Sequence, residues 1–552
     1  MNVFKPMFFT CLKNYSKQQL VKDIVSGIIV AIIALPLSIA LALASGVGPE
    51  QGLYTAIIAG FLISFFGGST VQIAGPTAAF ATIVAGIVAT SGMSGLVAAT
   101  LIAGVLLIIM GFCKFGSLIK YIPYTITTGF TAGIAVTILI GQIKDFFGMS
   151  FPAGTVTIET MDKVKAIAAT IGTINPMAVL VGVVCLAVLI LWPRVTQKIP
   201  GSLVAVIVGI LMVKLCKLPV NTIGDLYTIS NHLPAFTKPE LSFQLIQEML
   251  PNGVTIAVLA AIESLLSCVV ADGMVNSKHR SNTELIAQGI GNIGSVLFGG
   301  IPATGAIART AANIKNGGRT PLAGIVHSVT LVLILVILMP YAAWIPMPTI
   351  AAILFQVAYN MCQWKPFVRV CKTAPIGDVL VMVLTFILTV VFDLVVAIEF
   401  GMIFACVLFM KHMSEQTHVE GWQYVDVEDL DSSDMAYVPQ HVRVYEITGP
   451  LFFGAAEVLT KIKFKDFTKC LVLRMRSVQT VDITAINALE GLWQSCEKKG
   501  IRLILSHVNE QPMQALEHAG FVDKVGRENF RPNIDESLKW ATECVEETAA
   551  VR

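Results

Sequence analysis

Three kinds of group in this chain could do chemistry inside an apolar setting. Glu263 falls near the centre of the apolar run AVLAAIESLLSCVVADG, and Ser267 follows one turn on, on the same helical face. Arg309 falls in a second stretch, GGIPATGAIARTAA. The third kind is backbone: Gly75-Pro76-Thr77 in GGSTVQIAGPTAAF, and Ala306-Ile307-Ala308, combine helix starts with small side chains that leave amides accessible. A carboxylate at membrane depth is expensive, so Glu263 reads by default as functional. It could carry one proton per cycle, and Ser267 could hydrogen-bond the acid or help to hold a cation. The alternative is a structural carboxylate bonded to a neighbouring helix or to Arg309. Arg309 itself could hold an anion or only balance Glu263.

Both stretches that carry these groups are interrupted. Each opens with Gly-Gly, continues through an extended piece, breaks at a Pro or Gly and enters a helix with Thr-Ala-Ala. Irregular backbone survives in a bilayer only where it is buried in protein or lines a cavity. A helix that starts there points free N–H groups and a positive dipole end into that cavity, which suits an anion. Two interrupted segments at corresponding places in two halves are the sequence signature of a transporter binding site. The competing account for the Gly and Ala residues is close helix packing, the reading preferred for Gly86 and Ala103.

The elements that position these groups are membrane helices. The chain has 552 residues, 55% of them hydrophobic and only 13% charged. Apolar runs between residues 24 and 412 give about 14 spans. The third, near 70–90, and the tenth, near 301–316, are the broken ones, and seven plus seven spans give them opposite orientations. Lys and Arg recur in alternate loops: Lys114 and Lys120, Arg194 and Lys198, Lys278 and Arg280, Lys315 and Arg319, Lys365 to Lys372, and Lys411. By the positive-inside rule those loops and both termini are cytoplasmic. Asp378 and Asp393 are placed at span ends, and His327 reads as a satisfied packing histidine. Pro36 marks a kink that lets Leu37 and Ser38 line the cavity.

The chain divides into a lead-in over 1–22, a membrane domain over 23–414, a polar acidic linker over 415–440 and a small α/β domain over 441–552. Strand-like runs at 441–447, 471–475 and 502–506 alternate with amphipathic helical patterns. The 11 cysteines are scattered without metal-binding spacing and read as reduced structural thiols. The net charge of +2 points to no nucleic acid. Without a nucleotide loop, metal cluster or nucleophile triad, an enzyme is disfavoured.

On Gly75-Pro76-Thr77-Ala78-Ala79, Glu263-Ser264-Leu265-Leu266, Gly299-Gly300 through Arg309 and the C-terminal domain, the chain resembles bacterial members of the sulfate permease (SulP) family of anion transporters. The resemblance implies 7+7 inverted repeats, two half-helices meeting at the midplane, an anion between their N-termini, elevator-type movement and a scaffold that dimerises. It also implies the bacterial inner membrane. The C-terminal part resembles a STAS domain, a candidate platform for a cytoplasmic protein partner. Thr484 stands where related domains carry a phosphorylated Ser or Thr; the plainer reading of Asp482-Ile483-Thr484 is a helix N-cap. Ile262 to Leu266, Asp272-Gly273-Met274, Lys278-His279 and Asn282 to Leu285 are similar to the C4-dicarboxylic acid branch of the family. That branch implies proton-coupled symport of a dicarboxylate. Sulfate, bicarbonate, sodium coupling and an uncoupled exchanger or channel are the alternatives. Many members have Pro-Gln at Pro36-Leu37, so one donor to the anion is missing here. Sodium-coupled bicarbonate members carry Asp and Thr at the Glu263 and Ser267 positions.

Overall fold

The structure is a computed structural model that describes residues 4–117, 123–152, 155, 159–196, 199–392, 394–421, 438–439, 441–454, 456–464 and 467–550. Lys120, Lys198, Asp393 and most of the 415–440 stretch lie outside them.

Apolar sequence in lipid folds as helices because only a helix satisfies its own backbone. The first half of the membrane part consists of α1 (Lys17–Ala44), α2 (Pro49–Phe66), α3 (Ala78–Phe112), α4 (Tyr124–Phe146), α5 (Pro176–Val195) and α6 (Gly201–Cys216). The second consists of α7 (Phe243–Val275), α8 (Ser281–Leu297), α9 (Ile307–Lys315), α10 (Leu322–Ala342), α11 (Met347–Cys362), α12 (Ile376–Val391) and α13 (Leu394–Glu415). Gly92, at φ 66° and ψ −167°, breaks α3 into two passes, so the halves hold seven segments each. Pro36 lies inside an unbroken α1, whose start is capped by Ser16 accepting from the Gln19 amide.

Two short strands join the halves. β1 (Ala74–Gly75) pairs antiparallel with β2 (Thr304–Gly305), Ala74 facing Gly305 and Gly75 facing Thr304. Each strand runs straight into a helix, α3 after β1 and α9 after β2. The two helix starts are therefore related by inversion, as an inverted repeat requires.

Helices α1, α2, α3, α7, α8, α9 and α10 pack into one bundle around this ribbon, and α4, α5, α6, α11 and α12 into another. Glycines set the approach inside the first. A Cβ at Gly289 would stand 2.5 Å from the Gly104 carbonyl oxygen where α8 crosses α3. At Gly52 it would stand 2.2 Å from the Ser38 carbonyl oxygen, where α2 meets α1. Gly86 differs from the packing expectation: nothing lies within 4 Å of a Cβ there, because it borders a cavity.

The chain separates into two compact units, one ending at Met402 and one starting at Ile403. The second holds a five-stranded sheet in the order β3 (His418–Gly421), β4 (Val442–Thr448), β5 (Cys470–Ser477), β6 (Arg502–Ser506) and β7 (Phe530–Arg531). Pairing is antiparallel for β3–β4 and parallel thereafter. Parallel strands need cover on both faces. Leu471, Leu473 and Leu505 pack on one face under α14 (Ile483–Lys498), while Val472 and Ile504 pack on the other with Leu538 and Ala541. The strand β3 corrects the linker reading, since residues 418–421 of the supposed linker are an edge strand. Its run of four residues, mostly exposed, carries too little apolar alternation to be read from sequence. All 11 cysteines are free. Burial pushes the Cys470 and Cys496 thiols up to about 12, so they stay protonated and unreactive.

Gly52→Ala is expected to lower stability by about 1–3 kcal/mol, the usual cost of overpacking against backbone. Gly86→Ala, inside a helix with open space around it, should cost nothing and gain up to about 1 kcal/mol. Paired thermal melts of the purified variants check this; equal melting temperatures would refute the packing account.

Candidate anion-binding site

The broken segments cannot satisfy their own backbone, and side chains do it for them. Before β1, the Gly68 and Ser69 amides donate to Glu284 Oε2 at 2.8 and 3.2 Å. The Val71 carbonyl accepts from Asn313, and the Ile73 amide donates to Thr310 Oγ1. Before β2, the Ile301 amide donates to Thr55 Oγ1 at 2.7 Å, and its carbonyl accepts from Ser295. Asn292 clasps Ala303 through both its amide and its carbonyl, each at 2.8 Å. The Gly305 amide donates to Ser264 Oγ, which also bonds Thr304 Oγ1 at 2.8 Å. The Gly-Gly pairs allow these approaches: a Cβ would meet Glu284 Oε2 at 3.1 Å from Gly67 and Ser295 Oγ at 2.4 Å from Gly300.

Glu263 and Thr77 come together, with Thr77 Oγ1 donating to Glu263 Oε2 at 3.0 Å. The Thr77 hydroxyl is thereby diverted from capping α3. Helix α9 likewise has no side-chain cap. The first amides of both helices therefore have neither an intrahelical acceptor nor a capping side chain. Glu263, Thr77, Ala306 and Ile307 are partly exposed and Ala308 is exposed, in otherwise buried surroundings. Of the expected backbone contacts Ala306 is the exception, because its amide donates to the Ile73 carbonyl at 2.9 Å. Ile307 and Ala308 keep theirs.

Arg309 is only 1% exposed, and it does not pair with Glu263. Its Nη2 donates to Ser38 Oγ and to the Pro76 carbonyl, both at 3.2 Å, while Nε and Nη1 are buried without a partner. Gly75 makes room for it: a Cβ there would lie 2.0 Å from Nη1. So Gly75 and Pro76 seat the guanidinium, and Ser38 holds it from α1 in place of lining a cavity. Ser267 is buried with an unpartnered Oγ and makes no bond to Glu263. His327 is not the satisfied histidine expected, since it is fully buried with both ring nitrogens unpartnered.

Further along α3, Thr82, Gly86 and Thr90 face a cavity of about 640 Å³. Thr137 of α4, Thr255 of α7 and Thr389 of α12 line it too. It runs between the two bundles and is walled mainly by hydroxyls and apolar groups. In the other unit, Asp482 is the N-cap of α14: its Oδ1 accepts from the Ala485 amide at 2.9 Å, and its Oδ2 from the Phe453 amide. Thr484 is exposed in the first turn.

Sequence reasoning missed Glu284, Gln72, Asn292 and Asn313. Asn292 stands in a run of small and apolar residues, a weaker form of the signal that marked Glu263, whereas Glu284 and Asn313 lie among polar residues that hide them.

Opposed helix starts on a crossing ribbon, with a carboxyl and a buried guanidinium beside them, define a polytopic membrane transporter for anions. The sulfate permease family model matches residues 20–385 and a STAS domain model matches residues 435–537, so the chain belongs to the sulfate permease family. It is 38% identical to the putative sulfate transporter YvdB of Bacillus subtilis, over 95% of this chain and 98% of that protein. It is 30% identical to the bicarbonate transporter BicA of a Picosynechococcus strain, over 94% of each. The transmembrane domain of a cyanobacterial BicA superposes with a TM-score of 0.62 at 29% identity, over 71% of this chain and 98% of that one. The murine anion transporter Slc26a9 has the same fold, with a TM-score of 0.86 at 20% identity over 98% and 94% of the two chains.

Glu284→Leu removes the acceptor of four buried donors, those of Gly68, Ser69, Gln72 and Gln288. At about 1–3 kcal/mol for each donor left unsatisfied, the loss should exceed about 3 kcal/mol. A melting temperature within a degree of wild type would refute a bracing role for Glu284.

Proposed function

We propose that the chain is a proton-coupled secondary transporter of a small anion, with a C4-dicarboxylate as its substrate. The observation that carries the reading is the pair of uncapped, opposed helix starts beside Glu263. Two positive ends facing one another suit a dianion with charge at both ends. Ile307 and Ala308 bind through their amides. Thr77, Glu263 and the start of α3 complete the site, with Gly75, Pro76 and Arg309 behind it. Arg309, buried and half-partnered, supplies a fixed positive field more than a direct contact.

Glu263 is the proton carrier. It is the ionisable side chain that reaches the partly exposed surface of the site, and Thr77 tracks its state by donating to the ionised acid. Sodium-coupled bicarbonate members of the family carry Asp and Thr where this chain has Glu263 and Ser267, so protons are favoured over sodium. The names of the relatives favour a second reading, in which sulfate or bicarbonate is the anion at the same site.

The fold belongs in a bacterial inner membrane with both termini cytoplasmic, as the loop cations support. A homodimer, and a protein partner at the C-terminal domain with Thr484 as a regulatory site, complete the proposal. An exposed Thr484 in a first helical turn would welcome a phosphate.

In proteoliposomes with an inward proton gradient, labelled succinate uptake is expected to collapse when the gradient is removed. Glu263→Gln should abolish gradient-driven uptake while succinate still binds. Full uptake by the variant would end the coupling role of Glu263. Uptake of sulfate or bicarbonate in place of succinate would keep the site and replace the substrate.

A further inference from the structure

Away from the ribbon, a second concentration of charge stands where α9 ends and α1 begins. Gln19, Lys22, Lys315, Asn316, Gly317 and Arg319 line a pocket of about 440 Å³. Its three ionisable residues are all cations, and Lys22, Lys315 and Arg319 are all exposed. Among the described residues, the Lys22 and Lys315 ammonium groups have no acidic partner. Asp23, next to Lys22 in the chain, is fully buried, and its two oxygens are already engaged. Oδ1 accepts from Gln19 and the Arg319 amide, and Oδ2 from Tyr15 and Thr320, at 2.6 to 2.9 Å. Asp23 therefore anchors the pocket wall through neutral donors and, among the described residues, makes no ion pair with Lys22, Lys315 or Arg319.

The wall is built. Gly317, at φ 92°, lies against the Lys22 stem, with 3.7 Å from its Cβ position to Lys22 Cβ. Gln19 donates to the Gly317 carbonyl. Arg319 Nη1 closes the end of α9 by donating to the Ile314 and Gly318 carbonyls, and Asn316 donates to Ala312. The carbonyl end of α9 is thus partly covered, which leaves the lysines to set the field of the pocket.

Beside the pocket, α1 presents an apolar stripe. Val21, Val25 and Ile28 are 61%, 46% and 39% exposed, at helical spacing on one face. In a bilayer such a stripe faces acyl chains, and Lys22 stands at its polar end. Cations at that level attract anionic headgroups.

We propose that Lys22, Lys315 and Arg319 form a binding site for the phosphate of an anionic phospholipid, whose acyl chains lie along Val21, Val25 and Ile28. The site grips the last turn of α9, the helix that opens with Ile307, Ala308 and Arg309. Lipid bound there ties the far end of the half-helix to α1.

The test is native mass spectrometry of the purified full-length chain, with phosphatidylglycerol and phosphatidylcholine offered in equal amounts. Wild type should retain phosphatidylglycerol in preference. The double variant Lys22→Gln with Lys315→Gln should lose that preference by about tenfold or more, since two basic contacts are removed. Lys315→Arg should keep it. Should the double variant not purify as folded protein, Lys22→Gln alone, at an exposed side chain, should show a partial loss. Unchanged preference in the Gln variants would overturn the site. Displacement of the lipid by millimolar inorganic phosphate would also overturn it, by making the ligand a soluble anion.

Discussion

A chain that stops being helical inside an apolar layer must satisfy every backbone donor and acceptor it frees, and this protein does so with side chains. The two extended pieces pair with one another for only two residues each. Most of the other bonds come from Ser264, Glu284, Asn292, Ser295, Arg309, Thr310 and Asn313 of the second half and from Thr55 of the first, with the Ala306 amide donating to the Ile73 carbonyl. The bracing is crossed. Glu284 of α8 holds the Gly68 turn of the first repeat, and Thr55 of α2 holds Ile301 of the second. Neither broken helix can form without the other half, which makes the inverted repeat a condition of the fold.

The same constraint explains how the charges are arranged. A guanidinium and a carboxylate at one depth would be expected to pair, and a tight pair would cancel the field that an anion needs. Here they are kept apart. Arg309 is drawn back behind Gly75 to Ser38 and the Pro76 carbonyl, and Glu263 bonds Thr77. Each group thus has its own partners, and neither neutralises the other. Glu284, by contrast, is spent on structure: its oxygens accept from four donors.

How far the sequence could be read follows from what each feature depends on. The helices and the two breaks were legible, because Gly-Gly, Pro76 and the Thr-Ala-Ala helix starts are local signals. Glu263 was legible because a charge in an apolar run stands out. The direction of the Arg309 side chain was not. It depends on Gly75 and Ser38, which lie 234 and 271 positions away in the chain. Ala306 was misjudged for a similar reason, as its amide is used by Ile73 across the ribbon. The edge strand β3 was missed because four mostly exposed residues take their conformation from β4.

The origin of the bracing groups bears on how the site can move. Ser38 comes from α1, Thr55 from α2, Ser264 from α7, Glu284, Asn292 and Ser295 from α8, and Thr310 and Asn313 from α9. All of these helices belong to the bundle that surrounds the ribbon. None of the bonds described for the broken segments comes from α4, α5, α6, α11 or α12. Shifting the ribbon within its own bundle would break several buried hydrogen bonds, at about 1–3 kcal/mol for each group left unsatisfied. Sliding the whole bundle past the second one breaks none of them. It disturbs mainly apolar contacts and the hydroxyl-lined cavity between the bundles, which can be remade in a new register. A displacement that carried ribbon, Glu263 and Arg309 as one body would therefore leave these hydrogen bonds intact.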